Sequence, residues 1–115
     1  MSDRELLELA AKAAGYKVNA RRQAERDAIG SGAVGLWIDG VSTGWNPLLD
    51  GGHALVLAVD LGLVVFAPIN HSNFASACED GGPIWAQEPV GGTDKVGATC
   101  RAIVRAAAEI GREMP

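Results

Sequence analysis

The chain is poor in the residues that usually announce a chemistry. It holds two cysteines and two histidines in 115 residues. Cys78 and Cys100 form no CxxC pair and have no histidine at ligand spacing, which argues against a zinc site or a redox couple and for two reduced thiols. Charge of one sign is also scarce. Fourteen acidic against ten basic side chains leave a net charge of −4, and no run of five or six like charges builds a phosphate-tracking patch, so duplex nucleic acid is not an expected partner. Long apolar runs are missing too: the most apolar stretch, Ala54 to Ile69, is interrupted by Asp60 and Gly62 and is too short to span a bilayer. The first residues, MSDRELLELAAKAAG, mix charges with leucines and do not read as a signal peptide, so the expected location is the cytoplasm.

Catalytic groupings are equally thin. An enzyme needs a nucleophile beside a base, a carboxylate pair or a metal cluster. His53 stands at the third position of an expected helix with no visible partner for acid/base work. Glu79 and Asp80 are adjacent and diverge, which makes a weak metal site. GSGAVG, residues 30–35, has the look of a phosphate loop but precedes a strand-like segment instead of a helix, and reads better as a hairpin connection. No enzymatic activity, cofactor or metal is expected on these grounds.

What is present predicts one α+β domain over residues 1–115, large enough to build a core without staples. Ser2 and Glu5 form a capping box, and Leu6, Leu9, Ala10, Ala13 and Ala14 follow at helical spacing until Gly15 closes the turn. YKVN at 16–19 and VGLWID at 34–39 read as strands paired in a hairpin, with the polar 19–33 stretch as a mobile excursion. In WNPLLDGGH, Pro47 holds Asn46 extended and Asp50 stands at the N-cap of a helix from about Gly51 to Leu61, ended by Gly62. LVVFAPI at 63–69 reads as a buried strand. From Asn70 to Gly92, HSNFASACEDGG and PVGG read as loops, with IWAQEPV between them as a weaker strand that Pro89 confines to an edge. Thr93 caps a final amphipathic helix in which Arg105 and Glu109 are an i,i+4 pair. The expected order is α-β-β-α-β-β-α, with helices packed on a mostly antiparallel sheet.

Three tryptophans among six aromatics are the most informative residues. Trp37, Trp45 and Trp85 lie near glycine-rich turns or in short strands. Each is either a platform on which a base stacks or a core residue with its indole N–H bonded to a carbonyl. Arg21 and Arg22 suit a phosphate, whose two oxygens a guanidinium meets at once, or are plain surface residues. Asn70, His71 and Ser72 form a polar cluster able to hydrogen-bond a ligand or to satisfy its own loop. Ala98, Ala102 and Ala106 make a smooth strip that is either a contact face for another helix or an internal packing face.

Three blocks, SDRELLELAAKAAGY at 2–16, WNPLLDGGHALVLAVDLGLVV at 45–65 and GATCRAIVRAAAEIGREMP at 97–115, resemble small uncharacterised proteins of tailed phages and prophages of proteobacteria. They cover about half the chain. Gly51 and His53 stand where that group carries acidic residues, and Cys100 where it carries a second arginine. The resemblance implies that WNPLLD is shared architecture, with Trp45 against the core and Asp50 as cap, and places the protein in a bacterial host cytoplasm. By analogy with small phage proteins, it implies a counter-defence protein that binds and sequesters a nucleotide-derived immune signal as a homo-oligomer. Arg21, Arg22, Trp37, Trp45, Asn70, His71, Ser72 and Trp85 would then be the ligand-binding residues. The alternatives are a protein that binds and inhibits a host protein and, third, a nucleotide-degrading enzyme.

Overall fold

The α-helix at the C-terminus is the element against which most of the others pack. The computed structural model describes residues 2–29, 35–40, 44–68, 73–91 and 94–115. They form α1 (Asp3–Ala14), α2 (Ala20–Ile29), α3 (Gly51–Leu61), β1 (Leu63–Phe66), β2 (Phe74–Glu79), β3 (Trp85–Pro89) and α4 (Lys95–Glu113). The chain is one α+β domain in which three helices precede a three-stranded antiparallel sheet, ordered β1-β2-β3, and α4 packs on that sheet.

This order, α-α-α-β-β-β-α, corrects the expected one: a helix, α2, and a strand, β2, are gained, and the two strands expected before α3 are not formed. The 19–33 stretch does not read as an apolar-striped helix because α2, ARRQAERDAI, buries only Gln23. It is nevertheless built from good helix formers, and Asn19 caps it, its side-chain oxygen accepting the Arg22 amide at 3.1 Å. The second correction is β2. FASACE reads as loop because Ala, Ser and Cys carry little strand preference, yet it is the central strand.

The expected hairpin of 16–19 with 34–39 shrinks to isolated bridges. Val18 pairs with Ile38, and Leu36 pairs with Trp45 through two backbone hydrogen bonds of 2.8 and 2.9 Å. The 36–38 segment is thus held from both sides without becoming a strand. The strand expected over 63–69 is shorter, ends at Phe66 and lies at an edge instead of being buried. IWAQEPV does form the other edge, β3, with Pro89 at its end.

The caps follow sequence logic. Ser2 accepts the Glu5 amide at 3.2 Å, Asp50 accepts the His53 amide at 3.0 Å, and Gly15 and Gly62 take left-handed conformations. For α4 the cap is Asp94, which accepts the Gly97 amide at 2.8 Å; Thr93 lies outside the described residues.

Small residues decide how α4 packs. Ala98, Ala102 and Ala106 are buried, so the strip is an internal face rather than an exposed contact surface. The inward residues of the two strands β2 and β3 include Ala75, Ala77 and Ala86, all buried. Alanine against alanine lets helix and sheet approach closely. Near its end α4 meets α1: a Cβ built on Gly111 would collide with the carbonyl oxygen of Leu9. The substitution Gly111→Ala is therefore expected to destabilise the protein by about 1–3 kcal/mol, as overpacking of a filled contact does. Urea unfolding checks this, and unchanged stability would mean that α1 and α4 can separate at no cost.

Candidate functional site

Sequence reasoning singles out eight residues for a ligand, and the structure distributes them over separate elements. Arg22 and Trp37 do meet. The Arg22 guanidinium lies 4.8 Å from the Trp37 ring centroid, and Arg26, one turn further along α2, lies at 4.5 Å. Both are cation–π distances. Arg21 turns away to pair with Glu25 at 3.4 Å. Trp45 is only 4% exposed and meets Tyr16 edge-on, with centroids 5.4 Å apart at 87°, so it offers no open face for stacking. Trp85 stands on β3 beside Phe66. Asn70, His71 and Ser72 lie outside the described residues.

Gln23, which sequence reasoning passes over, is what places Trp37. Its side-chain carbonyl accepts the Trp37 amide at 2.9 Å and its amide donates to Asp27 at 3.2 Å. Asp27 also receives both terminal nitrogens of Arg4 at 3.2 and 3.3 Å. That hydrogen bonding holds the Asp27 carboxyl below its ordinary range. A polar chain therefore runs from α1 through α2 to the segment carrying Trp37. A buried glutamine in a polar helix leaves no trace in hydrophobic periodicity.

His53 also has a structural task. Its Nδ1 accepts the Asn46 amide at 3.1 Å, which ties the WNPL turn to the first turn of α3. Asp50 beside it caps the helix. The opening WNPLLDGGH stretch is thus a self-braced helix start, with Asn46 itself accepting the Leu48 amide at 3.1 Å. Tyr16 adds a strut from the core, its hydroxyl donating to Asp60 at 3.1 Å, and its pKa is pushed up by burial and then by that bond.

Two clefts deserve comparison. The larger, about 830 Å³, lies between the β2–β3 turn and the last turns of α4, and is lined by Trp85, Arg105, Glu79, Glu109 and Glu113 among others. Its one basic group is already engaged: Arg105 donates to Glu88 at 2.8 Å and to the Gln87 carbonyl at 2.9 Å, while Glu109 pairs with Arg112. Three carboxylates against one occupied guanidinium disfavour a phosphate there, and neither Arg21, Arg22 nor Trp37 reaches it. The smaller cleft, about 430 Å³, lies among α3, β1 and the start of α4 and is lined almost wholly by apolar residues, including Leu55, Val65, Val96 and Ile103.

Burial raises the Cys100 thiol above its ordinary pKa, which suits a packing residue and not a nucleophile. Among the described residues no three His, Cys, Asp or Glu side chains converge as a metal site requires, and no helix is long and apolar enough to cross a membrane.

The strongest surface feature is the sheet itself. Backbone pairing puts Leu63, Val65, Ala75, Ala77, Glu79, Ala86 and Glu88 on the α4 side, and Val64, Phe66, Phe74, Ser76, Cys78, Trp85 and Gln87 on the other. Arg105 on α4 confirms the first assignment by binding Glu88. A sheet with one wet face normally turns its small and polar residues outward. Here the outward side carries Ser76 and Gln87 but also three aromatic rings. Phe66, Phe74 and Trp85 are 51%, 44% and 57% exposed, while the apolar residues of the covered side are alanines on β2 and β3 and Leu63 and Val65 on β1. Strands β1 and β3 are two spacings apart, about 9–10 Å, yet the Phe66 and Trp85 centroids are 6.1 Å apart, so the rings lean together over β2.

Comparison of the chain with protein-family models, with curated proteins and with solved structures gives no match.

Two outcomes follow from this geometry. Gln23→Ala leaves the Trp37 amide without its partner and is expected to cost about 1–3 kcal/mol. Amide exchange in α2 should rise more than in α4, and equal changes in both helices would remove Gln23 from its anchoring role. Asp50, lowered chiefly by the His53 amide, contributes a cap that is fully present above about pH 4 and is lost as the pH falls through its lower folded-state value. Asp50→Asn should therefore be less stable than wild type at neutral pH, with the difference narrowing on acidification; a constant difference would show that the charge is immaterial.

Proposed function

We propose that the chain is a protein-binding module that engages a partner protein through the open face of its sheet. The observation that carries this reading is the exposure of the largest side chains of the sheet: Phe66, Phe74 and Trp85 stand on the face turned away from α4. Burying such a ring fully is worth about 1.5–3 kcal/mol, so three partly open rings hold binding energy that folding does not use. Aromatic anchors at the centre of a patch are the usual source of affinity in protein interfaces. Ser76 and Cys78 on the same face are short and leave the rings prominent. The resemblance to tailed-phage proteins makes a bacterial host protein the expected partner class and inhibition of it the expected action.

A second reading, sequestration of a small nucleotide-derived signal, is favoured by the pair of guanidiniums over Trp37. Like charges one helical turn apart repel, and among the described residues neither Arg22 nor Arg26 makes an ion pair. A phosphate set between them would relieve that repulsion. The ring face is already occupied by the arginines, however, so a base would have to displace one of them to stack.

The two readings separate in one experiment. Phe66→Lys combined with Trp85→Lys should abolish capture of a stoichiometric host protein while lowering the melting temperature only slightly, since the ring pair is worth about 0.5–1.5 kcal/mol. Equal capture by both forms would overturn the first reading. A nucleotide adduct in native mass spectra that disappears in Arg22→Ala with Arg26→Ala, without any captured protein, would establish the second.

A further inference from the structure

The two edges of the sheet are not equivalent. In an antiparallel ladder, alternate residues turn both backbone groups towards the neighbour and the residues between them turn both outward. The Glu79 amide donates to the Ile84 carbonyl and the Val90 amide to the Asn73 carbonyl, so odd-numbered residues of β2 face β3 and even-numbered ones face β1. Val64 and Phe66 are then the residues of β1 that bond to Cys78 and Ser76. Leu63 and Val65 turn their N–H and C=O groups to the outer edge, where neither has a hydrogen-bond partner among the described residues. The other edge is blunted. Pro89 has no N–H to offer, and the Gln87 carbonyl is taken by Arg105.

Among the described residues the open edge has no such guard. LVVF carries no charge and no proline. Beside it runs α3, whose sequence GGHALVLAVDL is apolar on nearly all sides, a pattern proper to a helix that is covered all round. Leu57 is fully buried, but Leu55, Val56 and Val59 are exposed, Val59 to 69%, and Val96 at the start of α4 extends the same surface. The apolar cleft of about 430 Å³ joins the two features, because Val65 of β1 and Leu55 of α3 both line it.

We propose that this edge is a self-association surface, on which β1 pairs antiparallel with β1 of a second copy of the chain to make a continuous six-stranded sheet. The occupant follows from what must be covered. An extended peptide would satisfy Leu63 and Val65 but leave Val56 and Val59 in water. A second copy brings a strand edge and an apolar helix in the same relative placement, so a two-fold axis beside β1 covers both at once. The strand pairing sets LVVF against LVVF, with no charge on either strand to oppose it in a chain of net charge −4. It also leaves Phe66, Phe74 and Trp85 on the open face, so it goes beyond the partner-binding reading and does not depend on it.

The test reads mass and amide exchange together. Sedimentation over a concentration series should show a monomer–dimer equilibrium. In the dimer the Leu63 and Val65 amides should gain protection on raising the concentration, whereas Val64 and Phe66, already bonded to β2, should not change. Leu55→Arg with Val59→Arg, at exposed positions that do not threaten folding, should shift the equilibrium to monomer, and Phe66→Lys with Trp85→Lys should leave it unchanged. A monomer at every concentration would overturn the proposal. So would a dimer in which Leu63 and Val65 exchange as fast as in the monomer, or one that the sheet-face variant disrupts and the α3 variant does not.

Discussion

The close approach of α4 to its neighbours is the constraint on which the rest of the structure depends. A helix can lie tightly under a sheet only if both surfaces are nearly smooth, and here Ala98, Ala102 and Ala106 meet a layer that presents Ala75, Ala77 and Ala86. The same condition recurs where Gly111 admits the Leu9 carbonyl of α1. Where β2 and β3 lie on α4 the covered side carries alanines and Glu88, Leu63 and Val65 of β1 fill its margin, and the aromatic side chains of the strands stand on the other side. The aromatic open face is therefore tied to the internal packing, and the surface that carries the proposed function comes from the same alternation that builds the core.

Charge secures this arrangement at its margins. Arg101 spans α1 and the sheet, reaching Asp3 at 2.9 Å and Glu88 at 3.6 Å, and Arg105 joins it on Glu88. Glu88 faces α4 and is largely shielded, so two guanidiniums there satisfy a carboxylate that would otherwise be costly to cover. On the opposite flank, α2 buries one side chain only, and Gln23, Asp27 and Arg4 hold it by hydrogen bonds instead of apolar contact. The base under Trp37 is polar, and the two arginines over its ring belong to a helix attached by that base.

The sheet has one wet face and one open edge, and these are different kinds of surface. The face offers aromatic rings and suits a partner whose shape is its own. The edge offers unpaired backbone groups beside an apolar helix and suits a copy of the same element. Because the ring-bearing residues of β1 are even-numbered and the outward backbone groups belong to odd-numbered ones, one strand can serve both without conflict.

Local chemistry made a good part of this legible in advance. The caps at Ser2, Asp50, Gly15 and Gly62, the spacing of α1 and α4 and the edge position enforced by Pro89 are decided within a few residues, because a cap or a missing N–H acts on its immediate neighbours. The helix α2 and the strand β2 were not legible. The first hides behind a polar composition and is anchored by a single buried glutamine; the second is made of residues with little strand preference that are chosen to fit α4. Nor could the residues tell which tryptophan lies in the core: Trp45 is closed in by Tyr16, Trp37 is covered by two arginines and Trp85 stands open. Which side of a strand is covered, and which side chains meet, depends on elements distant in the chain, and that was decided only when α4 folded under the sheet.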